Sequence, residues 1–276
     1  MKRYLMILPA LMLCLALSLF IGCSDDDDGT IVNTITGDNN DPDLAMFMEE
    51  FEDMDDLTGT MFDLTFGMFI DSILNTAHKP QIPTGPNLSI TYHPDSKFWI
   101  CELEEYNSFD STTMYFTDSI QFLHGEAIVQ WPDPGYLSEL RSYLTLVVTG
   151  NHLDTAIAHQ NLVVTVDNPG SDTIVVNGSQ DLYASYDDVD IDMNDTTICE
   201  TDVNYNIAIN SLIVDMDSDD GPYSGSITYT GTLSVNCTGA HPGSVSGSWS
   251  VVQTFTPNGV NLSITHNNTV WTITDW

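Results

Sequence analysis

The stretch Asp215-Met-Asp-Ser-Asp-Asp-Gly221 crowds Asp215, Asp217, Asp219 and Asp220 around what reads as a hairpin turn. Carboxylates this close repel one another unless a cation neutralises them. Hard cations take several oxygen ligands at close spacing, so these four aspartates are a calcium candidate. Gly221 stands one place later than in the standard calcium loop, so the match is partial. A second acidic run covers residues 187–195. Counted from Asp188, its sixth residue is Met193 and its twelfth Cys199, where the EF-hand needs Gly and Glu. Val189, Ile191 and Met193 alternate with the aspartates, which predicts an amphipathic strand with an acidic outer side. Calcium is the one cofactor the residues suggest.

Other chemistry is weakly written. Seven histidines (His78, His93, His124, His152, His159, His241, His266) are scattered. None forms a helical His-Glu-x-x-His pair, and three or four convergent zinc ligands are not visible. The nucleophile elbow Gly-x-Ser-x-Gly, the Ser-x-x-Lys pair and the phosphate loop are missing from the sequence. Gly243-Ser-Val-Ser-Gly247 carries Val where the elbow needs its serine. The chain has 40 acidic residues, and no pair of them is singled out for glycoside chemistry.

The first residues say more about place than about reaction. Lys2 and Arg3 precede an apolar run from Tyr4 to Ile21, which ends in Phe20-Ile21-Gly22-Cys23. Ser24 and Asp25 to Asp28 follow. A charged start, an apolar core and a small residue before a cut are the parts of a secretory signal. The Phe20–Cys23 segment resembles the lipobox of bacterial lipoproteins, although Phe20 and Ile21 depart from the usual residues. That resemblance implies cleavage after Gly22 and acylation of Cys23. It implies a membrane as the first partner, through acyl chains each burying about 0.8 kcal/mol per CH₂. Ser24 resembles an outer-membrane sorting residue, and the acidic run beside it resembles the surface-export signal of Bacteroidetes-type lipoproteins. Like-charged runs stay extended, so residues 23–43 are expected to form a tether.

Removing the signal takes two of the five basic residues and leaves Lys79, Lys97 and Arg141 against 40 acids, −37 in all. Nucleic acid is excluded as a partner, since its binders need Lys and Arg to displace counterions from phosphates. Docking on an anionic bilayer face is disfavoured for the same reason. The charge favours solubility, cations, or a saline habitat. Cys101, Cys199 and Cys237 remain, an odd number that allows one bridge and one free thiol in an exported chain.

These residues need elements to hold them. Residues 44–80 read as helical, with Leu44, Phe47, Met48, Phe51 and Met54 at helical spacing. Asp43 is placed to cap the start. A second stretch, Thr60 to Leu74, is apolar on most of its surface and must pack against something. Residues 81–276 alternate with period two between turn signals, an antiparallel β signature. A hairpin closing through residues 216–220 pairs Ile213 with Tyr223, Ile209 with Ile227, Ile207 with Tyr229 and Val203 with Leu233. It also places Cys199 opposite Cys237. Antiparallel neighbours about 4.5–5.5 Å apart are within disulfide reach, so this pair is the expected bridge and Cys101 the free thiol.

The pattern continues. Val251, Gln253 and Phe255 oppose Ile264, Leu262 and Val260, and Ile264 and Leu262 then oppose Trp271 and Ile273 around Asn267-Asn268. Upstream, Val164 is expected opposite Val175 and Val166 opposite Thr173. Asn87-Leu-Ser-Ile-Thr91 recurs as Asn261-Leu-Ser-Ile-Thr265, each copy followed by a Trp-bearing strand, an echo that duplication or chance would both produce. The residues two apart from Trp276 are Thr274, Thr272 and Val270, too polar for the lipid-facing band of a membrane barrel.

The expected fold is mainly β. It is an antiparallel meander forming a curved sheet, half-barrel or sandwich, with an N-terminal helical segment packed on it. The expected role is non-enzymatic: a lipid-anchored envelope or surface protein that binds an envelope partner or builds structure. Two rivals stand beside it. One is a carrier whose hydrophobic ligand sits in a helix-plugged β cavity. The other is a hydrolase of envelope or extracellular polymers.

Overall fold

The computed structural model describes residues 34–36, 41–48, 50–51, 61, 87–107, 111–130, 137–150, 153–166, 173–192, 195–215, 222–240 and 242–274. Helix α1 covers residues 42–48 with 50 and 51. Its cap is Asp41 rather than the expected Asp43. The Asp41 carboxylate accepts the Asp43 N–H at 2.9 Å, and the Asp41 carbonyl accepts the Ala45 N–H at 3.1 Å. Pro42 explains the shift: its fixed φ suits the first helical position, and it has no N–H to satisfy.

The first seven strands are β1 (Thr34–Thr36), β2 (Leu88–His93), β3 (Phe98–Asn107), β4 (Thr112–His124), β5 (Ala127–Val129), β6 (Glu139–Thr149) and β7 (Leu153–Val166). The rest are β8 (Thr173–Asp192), β9 (Asp195–Asp215), β10 (Pro222–Gly239), β11 (Gly243–Thr256), β12 (Gly259–His266) and β13 (Thr269–Thr274). They form one antiparallel sheet in the order β1-β13-β12-β11-β10-β9-β8-β7-β6-β4-β3-β2, with β5 paired to β4. From β2 to β13 the path is a meander, as expected. β1 breaks it, because residues from the stretch read as tether add an edge to β13.

Register follows hydrophobicity. Asn210 to Cys199 pair with Ser226 to Cys237 as the alternation requires, and β11, β12 and β13 pair as expected. Asn267 and Asn268 both take positive φ, at 48° and 65°, the conformation a two-residue hairpin turn demands. Two expectations fail by one residue. Ile213 faces Ser224 rather than Tyr223, because the ladder is irregular between Pro222 and Ser226. Val164 faces Val176 and Val166 faces Ile174, not Val175 and Thr173. Ile174-Val175-Val176 is apolar throughout, so alternation alone does not say which members turn inward; Ile174 and Val176 are the buried ones.

The sheet curves around its inner face. Register irregularities occur in β8–β9 between Val176 and Gly178 and in β9–β10 near Pro222. Two glycines permit the close approach of neighbouring strands. A Cβ on Gly178 would lie 2.2 Å from the Asn161 carbonyl oxygen, and one on Gly231 would lie 2.0 Å from that of Asn204. Bulges and glycine kinks are what bend a sheet. The core lies on the concave side. It is lined by Phe116, Ile120, Leu144, Leu162, Ile207, Tyr229, Trp249, Val251 and Ile264, and α1 adds Leu44, Phe47 and Phe51. Met61 is helical and buried; the rest of the expected second helix, Thr60 to Leu74, lies outside the described residues. The two echo copies fall on β2, at one edge, and on β12, near the other. Ile90 faces Cys101 while Ile264 faces Trp271, so their partners do not correspond.

Candidate functional site

The calcium candidates are only partly on view. Asp215 ends β9 opposite Thr173, while Asp217, Asp219 and Asp220 lie outside the described residues. The backbone of residues 187–192 runs in β8 beside residues 195–200 of β9. Among the described residues no three His, Cys, Asp or Glu side chains converge on one point.

Three of the five cysteines, Cys101, Cys199 and Cys237, are among the described residues. Cys199 and Cys237 face one another across β9 and β10 and form a disulfide. Cys101 is buried on β3 and is not part of the disulfide. Burial, then Asp118 and Glu102, push its pKa up to about 12. A protonated, enclosed thiol is a poor nucleophile. Asp118 is directly opposite Cys101, fully buried, and accepts the Ser142 hydroxyl at 2.9 Å. Further along the same face, Gln180 Nε2 donates to Gln160 Oε1 at 2.5 Å.

Helix α1 meets the sheet through an aromatic cluster. The Phe47 ring lies 4.1 Å from that of Trp249 with planes 11° apart; the His266 ring lies 3.8 Å from it with planes 7° apart. Both are too close to share one face of the indole, so Trp249 is held between them. Phe51 meets Tyr229 edge-on at 5.0 Å. Glu50 anchors the same turn by accepting the Tyr186 hydroxyl and, at 3.3 Å, that of Thr201. The sequence did not single out His266. Its neighbour Gly247 takes a positive φ, and a Cβ there would lie 2.7 Å from the His266 ring. Histidine sits on this wall because its Nδ1 reaches the Ser248 carbonyl at 3.0 Å while the ring stacks. His159 is exposed and meets the Thr145 hydroxyl at 3.1 Å. His93 and His124 are also exposed, and His78, His152 and His241 lie outside the described residues.

Two polar atoms on the inner face stand out. The Tyr205 hydroxyl and Trp249 Nε1 are buried with no hydrogen-bond partner among the described residues. Both lie in one lateral row, with only Gly231 between them. Burial raises the Tyr205 pKa above that of an ordinary phenol.

The outer face differs in kind. Tyr106, Tyr115, Tyr143 and Tyr183 are 60%, 48%, 43% and 45% exposed. Glu104, Tyr115, Val147, Ile157, Tyr183 and Asn204 stand successively opposite one another across β3, β4, β6, β7, β8 and β9. A line of two exposed tyrosines and two half-buried aliphatic residues therefore crosses four adjacent strands. Sequence reading missed it because no two of its members are close in the chain. The only available signal was the outward parity of each tyrosine in its own strand.

Among the described residues no helix is long and apolar enough to cross a membrane; residues 1–33, with Cys23, lie outside them. No protein-family model matches the chain, and neither the curated proteins nor the solved structures show a significant similarity to it.

Proposed function

We propose that the chain is a lipid-anchored, exported protein whose folded part binds an envelope partner without catalysing a reaction. The observation that carries this reading is the contrast between the two faces of one sheet. The inner face is occupied by α1, whose Phe47 and Phe51 are wholly buried against Trp249 and Tyr229. The outer face presents its tyrosines to solvent. Tyrosine gives rigid contact area with a polar tip and is enriched where proteins meet partners. The Cys199–Cys237 disulfide supports export, since such bonds persist in oxidising compartments. Cys23 supplies the anchor that the signal pattern implies.

Metabolic labelling with palmitate in an exporting host tests the anchor. The chain should take up label and Cys23→Ser should not; equal labelling would remove the anchor. A photo-crosslinking residue at position 157 tests the binding role in the intact envelope. Only monomer at every crosslinker position tried would remove it.

A second reading rests on a separate observation. The unsatisfied Tyr205 and Trp249 donors on the inner face suit a carrier whose hydrophobic ligand brings an acceptor oxygen to them. Native mass spectrometry of the gently purified chain should then show an added mass that organic extraction removes. A bare mass would leave those residues as core.

A further inference from the structure

We infer that the outer-face line from Tyr115 to Tyr183 is the docking surface of a basic polypeptide segment; this rests on the binding role proposed above and names its partner. The surface has two similar ends. At one, Tyr115 faces Glu104, whose side chain hydrogen-bonds the phenol, and Tyr106 and Glu102 are diagonal neighbours. At the other, Tyr183 has Asp181 two residues before it on β8, faces Asn204, and has Asp202 diagonally across. Glu102, Glu104, Asp181 and Asp202 are all exposed. Between the ends lie Val147 and Ile157, half-buried and aliphatic. Three strand spacings separate the two tyrosines, about 14 Å.

Each end offers the face of a phenol ring beside carboxylates. An Arg or Lys side chain satisfies both at once, through cation–π attraction and ion pairing. The centre offers dry contact to an apolar residue. The surface therefore fits a segment with two cationic side chains about 14 Å apart and an aliphatic stretch between them.

Charge selects this partner over others. No lysine or arginine stands in the line or in the neighbouring row Glu102–Thr117–Thr145–His159–Asp181. Arg141, further down the same face, is paired with Glu139 at 2.5 Å. The chain as a whole carries 40 acidic residues against five basic ones. Such a field draws a basic partner in and repels an acidic one. Phosphate-rich or sulfated polymers are excluded by the same field.

The test uses the full chain, exported and purified in detergent, and a synthetic peptide repeating Arg-Ser-Val-Ser, which in extended form presents arginines about 14 Å apart on one side with a valine between them. Fluorescence anisotropy of the labelled peptide gives Kd. A counterpart with glutamate for arginine and a neutral β-linked oligosaccharide serve as competitors. The arginine peptide should bind, and more weakly as salt rises. Tyr115→Ala with Tyr183→Ala should weaken it about tenfold or more. Tyr115→Phe with Tyr183→Phe should restore binding, because the ring face is kept. Tyr223→Ala, an exposed tyrosine off the line, should leave Kd unchanged. Matching melting temperatures establish that all variants are folded. Salt-sensitive binding that ignores the alanine pair is general attraction to an acidic chain and overturns the inference. So does absence of peptide binding, or tyrosine-dependent binding of the oligosaccharide alone. If the peptide fails while crosslinking captures an envelope partner only from positions off this line, and not from 157, the binding role survives and this surface is the wrong one.

Discussion

The inner and outer faces of β4 to β9 are built from the same strands and answer to different physics. Inside, Phe116, Leu144, Leu162, Leu182 and Ile207 leave almost no surface exposed. Some of the polar groups there are paired with one another, Ser142 with Asp118 and Gln180 with Gln160, while the Tyr205 hydroxyl has no partner among the described residues. Outside, tyrosines, threonines, asparagines and acids stand in water. A side chain inside is fixed by close packing and costs kilocalories to change. One outside costs little to change and is free to be selected for what it touches. The comparison teaches where stability and recognition can be varied separately in a single-layer sheet.

The sharpest attack on the inner face is Trp249→Ala. It removes the ring held between Phe47 and His266 and should cost about 3–5 kcal/mol. For a domain of this size that is a fall in Tm of about 10 °C, read by calorimetry. A fall of a degree or two would mean that α1 is not seated on the sheet. Second in size is the disulfide. Cys199→Ala with Cys237→Ala should cost about 2–4 kcal/mol, seen as a lower denaturant midpoint. An unchanged midpoint under reducing conditions would show that β9 and β10 hold without it.

A smaller inner-face effect is expected from Ser142→Ala. It takes a donor from a buried carboxylate and should cost about 1–3 kcal/mol by urea denaturation. Cys101 gives a dependence on pH. Its folded pKa lies near 12 against an ordinary 9.0, so between those values the folded state holds a proton that the unfolded state has lost. Its contribution is intact below about pH 9 and falls as pH rises through that window. Cys101→Ala should therefore flatten the alkaline loss of stability and leave its slope near neutrality unchanged. Smallest of all is Tyr183→Ala outside, expected within about 0.5 kcal/mol of the parent. A large loss there would erase the distinction between the faces.

Much of this contrast was legible in the sequence, and the reason is the period of two. Where a hairpin has one dry and one wet side, as from Cys199 to Asn210, a slip of one residue exposes the whole apolar set, so register is fixed. The disulfide followed from that register. Where three apolar residues run together, as at Ile174-Val175-Val176, the constraint vanishes and the expectation slipped by one. The start of α1 was misplaced because Pro42 allows a cap two residues earlier than hydrophobic spacing suggests. The stack of Phe47, Trp249 and His266 was not legible, since it joins a helix to two strands more than 200 residues further on. The outer tyrosine line was hidden likewise. It needs the registers of several hairpins at once, and one misjudged register displaces its members.

Strand β1 has a mechanical consequence. If Cys23 is held at a membrane as proposed, the three residues of β1 form the first ladder among the described residues to meet tension. Loaded at one end, such a ladder opens bond by bond, at low force. Next along the chain is α1, held side-on by Phe47 and Phe51. Further along, past the buried Met61, the next described strand is β2, at the opposite border of the sheet. The long central ladders of β8, β9 and β10, with their cystine, would be the last to feel the pull. The short strand would thus act as a fuse, letting a molecule anchored as proposed lengthen before its outer face deforms.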